Sequence, residues 1–238
     1  MPASLPVTRS LGIAARWPVG IALTSWRYMW RTTPLHRREM AGSLADDAGP
    51  ELPPDFDRAE LQPAEEGSGP LFHRRYVTRI REAQLSAREL MDELISDPDC
   101  ASPKEFATFR KTRGAEGGMR VGDEYVVRMP GPWDGPVRVI EVSDSSLRLA
   151  TLEGHLEAGQ IEFAAVEVDG QIEFRIESWA RSKNRLVDLL YSHLRMAKEV
   201  QFHMWTSYLE RVTRLAGGRM TGGIDIQTRR VDELAPKG

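Results

Sequence analysis

Hydrophobic and polar residues alternate with a period of two through the middle of the chain, a pattern that predicts β-strands. The first run covers residues 71–81 and places Phe72, Tyr76 and Ile80 on one side. Further strand-like runs follow at residues 106–113, 124–129, 137–142, 147–152, 160–168 and 171–179. Asp169 and Gly170 separate the last two runs, and both residue types tolerate the positive φ of a tight hairpin. The sheet is therefore predicted to be antiparallel.

Two segments have a helical period instead. Ser86 is a suitable N-cap for a short helix that carries Leu90 and Leu94 on one side and ends near Asp97. After residue 184 the apolar period becomes 3.6 and continues to about residue 215. This second segment predicts one long C-terminal helix with an unusually wide apolar surface. The fold class is therefore α+β, an antiparallel sheet curled around that helix.

The remaining segments divide the chain. Residues 1–40 are an N-terminal extension with an amphipathic helix that carries Trp26 and Trp30, and residues 41–68 are an acidic, proline-rich linker. Residues 69–216 form the main domain, and residues 217–238 are predicted to be a polar tail. We expect the N-terminal helix to pack on the long helix. The alternative is that its tryptophans and nearby arginines bind a membrane surface or another protein.

The segment from Thr151 to Phe163, with Gly154-His155-Leu156-Glu157 at its turn, adds a more specific cue. With residues 174–181 and the long helix that follows, it resembles the domain of unknown function 1990 family over about residues 69–215. Leu156 and Gln160 depart from the proline and the acidic residue expected there. The resemblance implies a helix-grip fold of the START and Bet v 1-like superfamily. It implies no catalytic residues, because the family has no established biochemical role.

Composition and charge exclude several function classes. The chain has 238 residues and a net charge of −3, which provides no overall positive field for nucleic acid. Its one cysteine, Cys100, cannot form an intramolecular disulfide or a multi-thiolate zinc site. Its longest uncharged apolar run, residues 17–26, is about half of the ~20 residues that a spanning helix needs. We therefore expect a soluble, cytoplasmic protein.

Motifs for cofactors and metals are absent from the sequence. It contains no phosphate-binding loop, no dinucleotide fingerprint and no Gly-x-Ser-x-Gly turn, and its five histidines are dispersed. We therefore predict no cofactor and no metal site.

Five residues are candidate ligand contacts. His155 and Glu157 lie in a glycine-bounded turn, where they either stabilise the turn or face a cavity as ligand contacts or an acid–base pair. Arg128 and Trp133 belong to a loop rich in proline and glycine, which is either a cavity rim or a plain hairpin connection. His193 lies on the apolar side of the long helix, either as a core residue or as a polar contact.

These residues predict a domain that binds a small hydrophobic or amphipathic molecule between the sheet and the long helix. The leading alternative is an enzyme that uses the same cavity, with acid–base chemistry at His155 and Glu157. The third hypothesis is a peripheral membrane or protein-interaction module that acts through the N-terminal helix. The sequence identifies neither the ligand nor the oligomeric state.

Overall fold

The computed structural model describes residues 33–54, 56–104, 107–128, 134–183 and 195–232, with the backbone alone for residues 195–200. The first elements in chain order are β1 (Leu35–Ala41), α1 (Leu44–Asp47), a 3-10 turn (Ala64–Glu66), β2 (Ser68–Arg81) and α2 (Ala87–Ser96). The strands β3 (Thr108–Arg113), β4 (Glu124–Arg128), β5 (Asp134–Val142) and β6 (Ser146–Thr151) follow. The last elements are β7 (Glu157–Val168), β8 (Gln171–Ser182), α3 (Arg195–Leu215) and β9 (Arg219–Val231).

The described strands form one nine-stranded sheet in the order β1-β9-β2-β8-β7-β6-β5-β4-β3. Each neighbouring pair is antiparallel except β1 and β9, which run parallel. Each predicted strand run overlaps one of the strands β2 to β8. The large, curled and mostly antiparallel sheet of the prediction is therefore confirmed, with one parallel pair at its edge as an exception.

The Asp169-Gly170 turn joins β7 and β8, two neighbouring strands of 12 residues each. Asp169 has φ 51° and Gly170 has φ 73°, so both central residues occupy the left-handed region. That conformation matches the right-handed twist of paired strands and is why Asp-Gly is favoured in two-residue hairpins. The pairing continues from Val168 and Gln171 to Glu157 and Ser182 without a register shift.

Helix α2 begins with the predicted cap. The Ser86 hydroxyl accepts a hydrogen bond from the backbone N–H of Glu89, and the Glu89 carboxylate accepts one from the backbone N–H of Ser86. This reciprocal arrangement satisfies two N–H groups that the first turn of a helix leaves without partners. Leu90 and Leu94 are buried against the sheet, as the spacing predicts.

Helix α3 supplies the other half of the core. The long helix was predicted from residue 184, and the structure gives a helix from Arg195 to Leu215, while residues 184–194 lie outside the described residues. Aromatic rings connect it to the sheet: Phe163 of β7 lies 5.7 Å from Trp205 and 5.5 Å from Tyr208, measured between ring centroids. The predicted packing of sheet on helix is present in this part of α3.

The predicted polar tail over residues 217–238 is wrong for most of its length. Residues 219–231 form β9, which pairs with β2 on one side and β1 on the other, so α3 is followed by a strand. Ile224 and Ile226 alternate with Asp225 and Gln227, and both isoleucines are buried. Gly222 and Gly223 have positive φ and lie at a register shift in the pairing with β2.

The predicted boundary between the N-terminal segments and the main domain is also wrong. Strand β1 covers residues 35–40 of the predicted extension and the first residue of the predicted linker, while the predicted amphipathic helix itself falls on residues outside the described part. The acidic linker lacks long regular elements but is held against the sheet, where Asp47 and Gln62 are buried. We call residues 42–67 the strap. Because β1, the strap and β9 all contact β2 or its neighbours, the main domain extends beyond residues 69–216.

Candidate functional site

The side of the sheet that packs against α3 is mainly apolar, and we call it the inner face. The buried residues of this face and of the facing helices form one cluster that includes Tyr76, Ile80, Phe163, Phe174, Ile176, Tyr208, Leu209 and Val212. Alternation along the strands explains the arrangement, since every second side chain points to the same side. The opposite side, which the strap partly covers, is the outer face.

Polar side chains meet on the inner face near the described start of α3. Arg74 of β2 shares its side of the strand with Tyr76 and is only 8% exposed. Its Nη1 atom lies 3.7 Å from Oε1 of Glu157, the first residue of β7. Gln201 of α3 donates a hydrogen bond of 3.3 Å from Nε2 to Oε2 of the same carboxylate. Three polar groups from two strands and the helix therefore converge beside an apolar core.

The Arg74 side chain also contacts an aromatic ring. Its Cζ atom lies 4.6 Å from the ring centroid of Phe72, two residues earlier on the same side of β2. A guanidinium over a ring gains cation–π attraction and keeps its in-plane donors available for other partners. The contact orients the group without satisfying its N–H donors.

His155 interacts with the backbone of its own turn. Its Nδ1 atom lies 2.9 Å from the backbone nitrogen and 3.0 Å from the carbonyl oxygen of Glu157. Burial is the main cause that lowers the pKa of His155, and the nearby Glu157 carboxylate offsets part of that effect. The ring is therefore neutral at pH 7. Since the Glu157 carboxylate contacts Arg74 and Gln201, the two side chains do not form an acid–base pair with each other.

The strap supports the same turn from the outside. Gln62 donates hydrogen bonds from Nε2 to the carbonyl oxygens of His155, at 3.1 Å, and Glu157, at 2.8 Å. Its backbone N–H donates to the carbonyl of Thr151, whose hydroxyl donates to the Gln62 carbonyl. These bonds hold the start of β7 in position, and with it the Glu157 carboxylate.

The other sequence candidates are not brought to this group. Arg128 is the last residue of β4 and is exposed, opposite Thr108 and Asp134 of the neighbouring strands. Trp133 and His193 lie outside the described residues. Of the five candidates, the structure places only His155 and Glu157 in one turn, and only Glu157 contributes its side chain to the polar group on the inner face.

Arg74 and Gln201 were not among the sequence candidates. A signal for Arg74 was present, since it alternates with Phe72 and Tyr76 and therefore shares their side of the strand. An arginine on the apolar side of a strand is unusual, because burying a charge without partners is costly. Gln201 carried no comparable signal, because a polar residue on a long amphipathic helix is ordinary.

A second polar cluster lies on the outer face. His73 of β2 bonds through Nδ1 to Oδ1 of Asp47 at 2.8 Å and through Nε2 to Oε1 of Glu177 at 2.7 Å. Its ring stacks on Trp179, with 5.3 Å between centroids and 17° between planes. Both ring nitrogens face carboxylates, which accept but cannot donate, so the ring carries two protons and a positive charge. The cluster joins the strap to β2 and β8.

The pKa shifts in this cluster agree with a charged histidine. Burial alone lowers the pKa of His73, but the hydrogen bonds to Glu177 and Asp47 outweigh it, so the pKa is raised. Burial is the largest single cause and raises the pKa of each carboxyl, but the bond to His73 is the first of several lowering causes that together outweigh burial, so both pKa values fall below normal. Arg229 beside Asp47 and Arg175 beside Glu177 lower them further. The cluster is an ion network in which the histidine is the shared cation.

The described residues also differ from what a metal site, a cysteine nucleophile and a membrane-spanning helix require. Within residues 33–232, excluding the gaps, no three His, Cys, Asp or Glu side chains are grouped so that they could hold a metal ion. Burial and the charge of Asp97 raise the pKa of the Cys100 thiol to about 11, so it is protonated at neutral pH and a poor nucleophile. No helix in the described part is long and apolar enough to cross a membrane.

Residues 102–211 match the family described as Domain of unknown function (DUF1990). This segment matches DUF1990. The resemblance stated from the sequence is thereby confirmed, over a shorter range than the predicted 69–215. The DUF1990 segment contains Glu157 and Gln201 of the polar group, while Arg74 precedes it. None of the curated proteins matches the sequence.

Three solved structures are similar to this chain at low identity. A hypothetical protein from Helicobacter pylori is 9% identical, with a TM-score of 0.45 and coverage of 71% of this chain and 96% of its own. Norcoclaurine synthase from Thalictrum flavum, in complex with dopamine and hydroxybenzaldehyde, is 12% identical, with a TM-score of 0.42 and coverage of 70% and 96%. Major latex-like protein 151 from Panax ginseng is 12% identical, with a TM-score of 0.41 and coverage of 60% and 97%. At these values the similarities say nothing about function.

Proposed function

We propose that this protein binds a small amphipathic molecule between the inner face of the sheet and helix α3. Binding sites for small molecules are mostly apolar, with a few polar groups that orient the ligand. The inner face has this composition, since Phe163, Tyr208 and their neighbours are apolar and Arg74, Glu157 and Gln201 are polar. The apolar part of the ligand contacts the rings, and its polar part contacts the polar group.

The buried position of Arg74 is the observation that carries the proposal. Transferring a charged group from water to a protein interior costs several kcal/mol unless partners compensate it. Among the described residues, the ion partner of Arg74 is the carboxylate of Glu157, and the 3.7 Å between Nη1 and Oε1 is too long for a hydrogen bond. A position that carries such a cost without full compensation is typical of a functional site rather than of a stabilising contact.

Binding of 1-decanol to the full-length chain tests the proposal. Ile161 lies on the inner face of β7 and packs against the core, whereas Val166 of the same strand is exposed on the outer face. An Ile161→Trp change fills space between the sheet and α3, so we expect at least a tenfold weaker affinity for decanol by isothermal titration calorimetry. A Val166→Trp change should leave the affinity unchanged.

Circular dichroism melting accompanies both variants, because overpacking a core costs about 1–3 kcal/mol. The proposal fails if the folded wild-type chain binds neither decanol nor related alcohols and acids. It also fails if the folded Ile161→Trp and Val166→Trp proteins bind decanol equally well. Native mass spectrometry of protein purified from its host would identify a natural ligand that co-purifies.

The geometry does not favour the acid–base alternative at His155 and Glu157. The histidine ring contacts backbone atoms, and the carboxylate contacts Arg74 and Gln201. The alternative of membrane or protein interaction through the N-terminal helix concerns residues outside the described part.

A further inference from the structure

The hydrogen-bonding capacity of Arg74 is largely unused. A guanidinium has five N–H donors in a planar fork. In the part of the chain that the structure describes, the buried Nη1 atom of Arg74 has no hydrogen-bond partner. The Glu157 carboxylate at 3.7 Å supplies charge compensation but no hydrogen bond. Donors at this position are therefore available for an acceptor that the described residues do not provide.

Arg138 of β5 is a buried arginine of the same sheet whose guanidinium has hydrogen-bond acceptors. It is 4% exposed, even less than Arg74. Its Nη1 atom donates 2.7 Å to the carbonyl of Ala59, and its Nη2 and Nε atoms donate 2.6 Å and 3.1 Å to Oε1 of Glu124. The N–H donors of Arg138, which connects β5 to the strap, therefore have hydrogen-bond acceptors. Arg74 lacks this set of acceptors.

The polar group favours one sign of ligand charge. The Glu157 carboxylate already receives a hydrogen bond from Gln201 and faces Arg74, so its acceptor capacity is partly used. The Arg74 guanidinium has donors to spare and is pre-oriented over the ring of Phe72. A negatively charged ligand group would accept hydrogen bonds from the donors of Arg74 that have no partner. A cationic ligand group would instead compete with Arg74 and Gln201 for the Glu157 carboxylate.

We propose that the ligand of this site is a carboxylate-bearing amphipathic molecule whose carboxylate pairs with Arg74. The inference rests on the proposed function and adds the chemical class of the ligand. Planar guanidinium and carboxylate groups match in two parallel N–H···O bonds, which are stronger than bonds between neutral groups. The alkyl or ring part of the ligand then lies along the apolar inner face toward Phe163 and Tyr208.

Three probes of equal chain length test the inference in the full-length protein: decanoate, 1-decanol and decylamine. We expect decanoate to bind at least tenfold more tightly than decanol, and decylamine to bind most weakly. An Arg74→Gln change should remove the preference for decanoate, so that the variant binds decanoate and decanol with affinities within twofold of each other. Arg74→Lys keeps the charge but not the planar fork and should retain only part of the preference.

Arg75 provides the matched control, because it is the next residue of the same strand and pairs with Glu173 on the other side of the sheet. An Arg75→Gln change should leave all three affinities unchanged. If Arg74→Gln does not fold, the double variant Arg74→Gln with Glu157→Gln removes both charges and should also lose the decanoate preference.

The outcomes separate this inference from the proposed function. If none of the three probes binds, the proposed function fails, and the ligand class fails with it. If decanol and decanoate bind equally to the wild-type chain, or if the preference survives in folded Arg74→Gln, the site binds amphipathic molecules but the carboxylate inference is wrong. Tighter binding of decylamine also overturns it and assigns recognition to Glu157.

Discussion

At the scale of single residues, His73 is the centre of an ion network on the outer face. Two carboxylates, from the strap and from β8, contact its two ring nitrogens, and Asp47 is fully buried. The raised pKa of His73 means that protonation of this ring is coupled to folding. The lowered pKa values of Asp47 and Glu177 couple the loss of their protons to folding in the same way.

A His73→Gln change should destabilise the protein most between about pH 4.5 and 6.5, by about 3 kcal/mol. The contribution of His73 to the free energy of unfolding is complete below the ordinary histidine pKa of 6.5. It is lost as the pH rises through the raised pKa of His73 in the folded protein. The contributions of Asp47 and Glu177 to the free energy of unfolding are complete above their ordinary pKa values of 3.8 and 4.5. They are lost as the pH falls through the lowered pKa values of these groups in the folded protein.

Urea unfolding of the wild type and the His73 variant from pH 3 to 9 measures this difference. His36→Gln is the control, because His36 is exposed and bonds to the backbone carbonyl of Gly222 instead of to carboxylates. Its free energy of unfolding should follow the wild type at each pH. A pH-independent loss of stability in the His73 variant would contradict the ionic role.

At the scale of elements, β9 is the strand that connects the end of α3 to the sheet. Its isoleucines enter the core, and its backbone pairs with β2 and β1. Gly217 and Gly218 turn the chain directly after the helix, and the backbone N–H of Gly217 donates to the carbonyl of Arg214. The strand therefore returns along β2 and protects an edge that would otherwise be open.

An Ile224→Ala change should lower the free energy of unfolding by about 2–4 kcal/mol, because the side chain is 0% exposed and its removal leaves a cavity. A Gln227→Ala change in the same strand should alter stability by less than about 0.5 kcal/mol, since Gln227 is only partly buried. Equilibrium urea unfolding measures both. Equal effects of the two changes would mean that β9 adds no core contact.

At the scale of the whole molecule, the strap links the outer face to the polar group on the inner face. It is joined to β2 through Asp47, to β5 through Arg138, and to the turn before β7 through Gln62. Glu157 begins β7 at that turn and extends its side chain to the inner face. The position of the inner carboxylate therefore depends on a segment on the other side of the sheet.

A Gln62→Met change should increase amide hydrogen exchange in residues 152–158 by about tenfold or more. The change leaves the carbonyls of His155 and Glu157 without their side-chain donor, which costs about 1–3 kcal/mol for an unsatisfied buried group. Exchange measured by mass spectrometry under native conditions detects local opening. Gln160→Met is the control, because its side chain bonds to Pro50 instead.

Exchange in the turn should be unchanged in the Gln160 variant. If Gln62→Met lowers global stability without a local increase in exchange over residues 152–158, the strap stabilises the fold but does not position the turn.

Local features were predictable from the sequence because their causes lie within a few residues. The Ser86 cap, the Asp169-Gly170 hairpin and the strand runs of β2 to β8 each depend on neighbouring side chains and backbone angles. The candidate turn at His155 and Glu157 was identified in the same way. Its detailed geometry was not predictable, because Gln62 and Gln201 reach it from distant parts of the chain.

The sequence by itself determined α2, the strand runs of β2 to β8 and the alternation along those strands, since alternation and helical period act locally. Only the tertiary structure decided that residues 219–231 enter the sheet and that β1 pairs with them, because strand pairing depends on which edges remain open after the rest has folded. It also decided that Arg74 meets Glu157 beneath α3. That contact depends on the register of three strands and the placement of a helix, and no stretch of sequence contains that information alone.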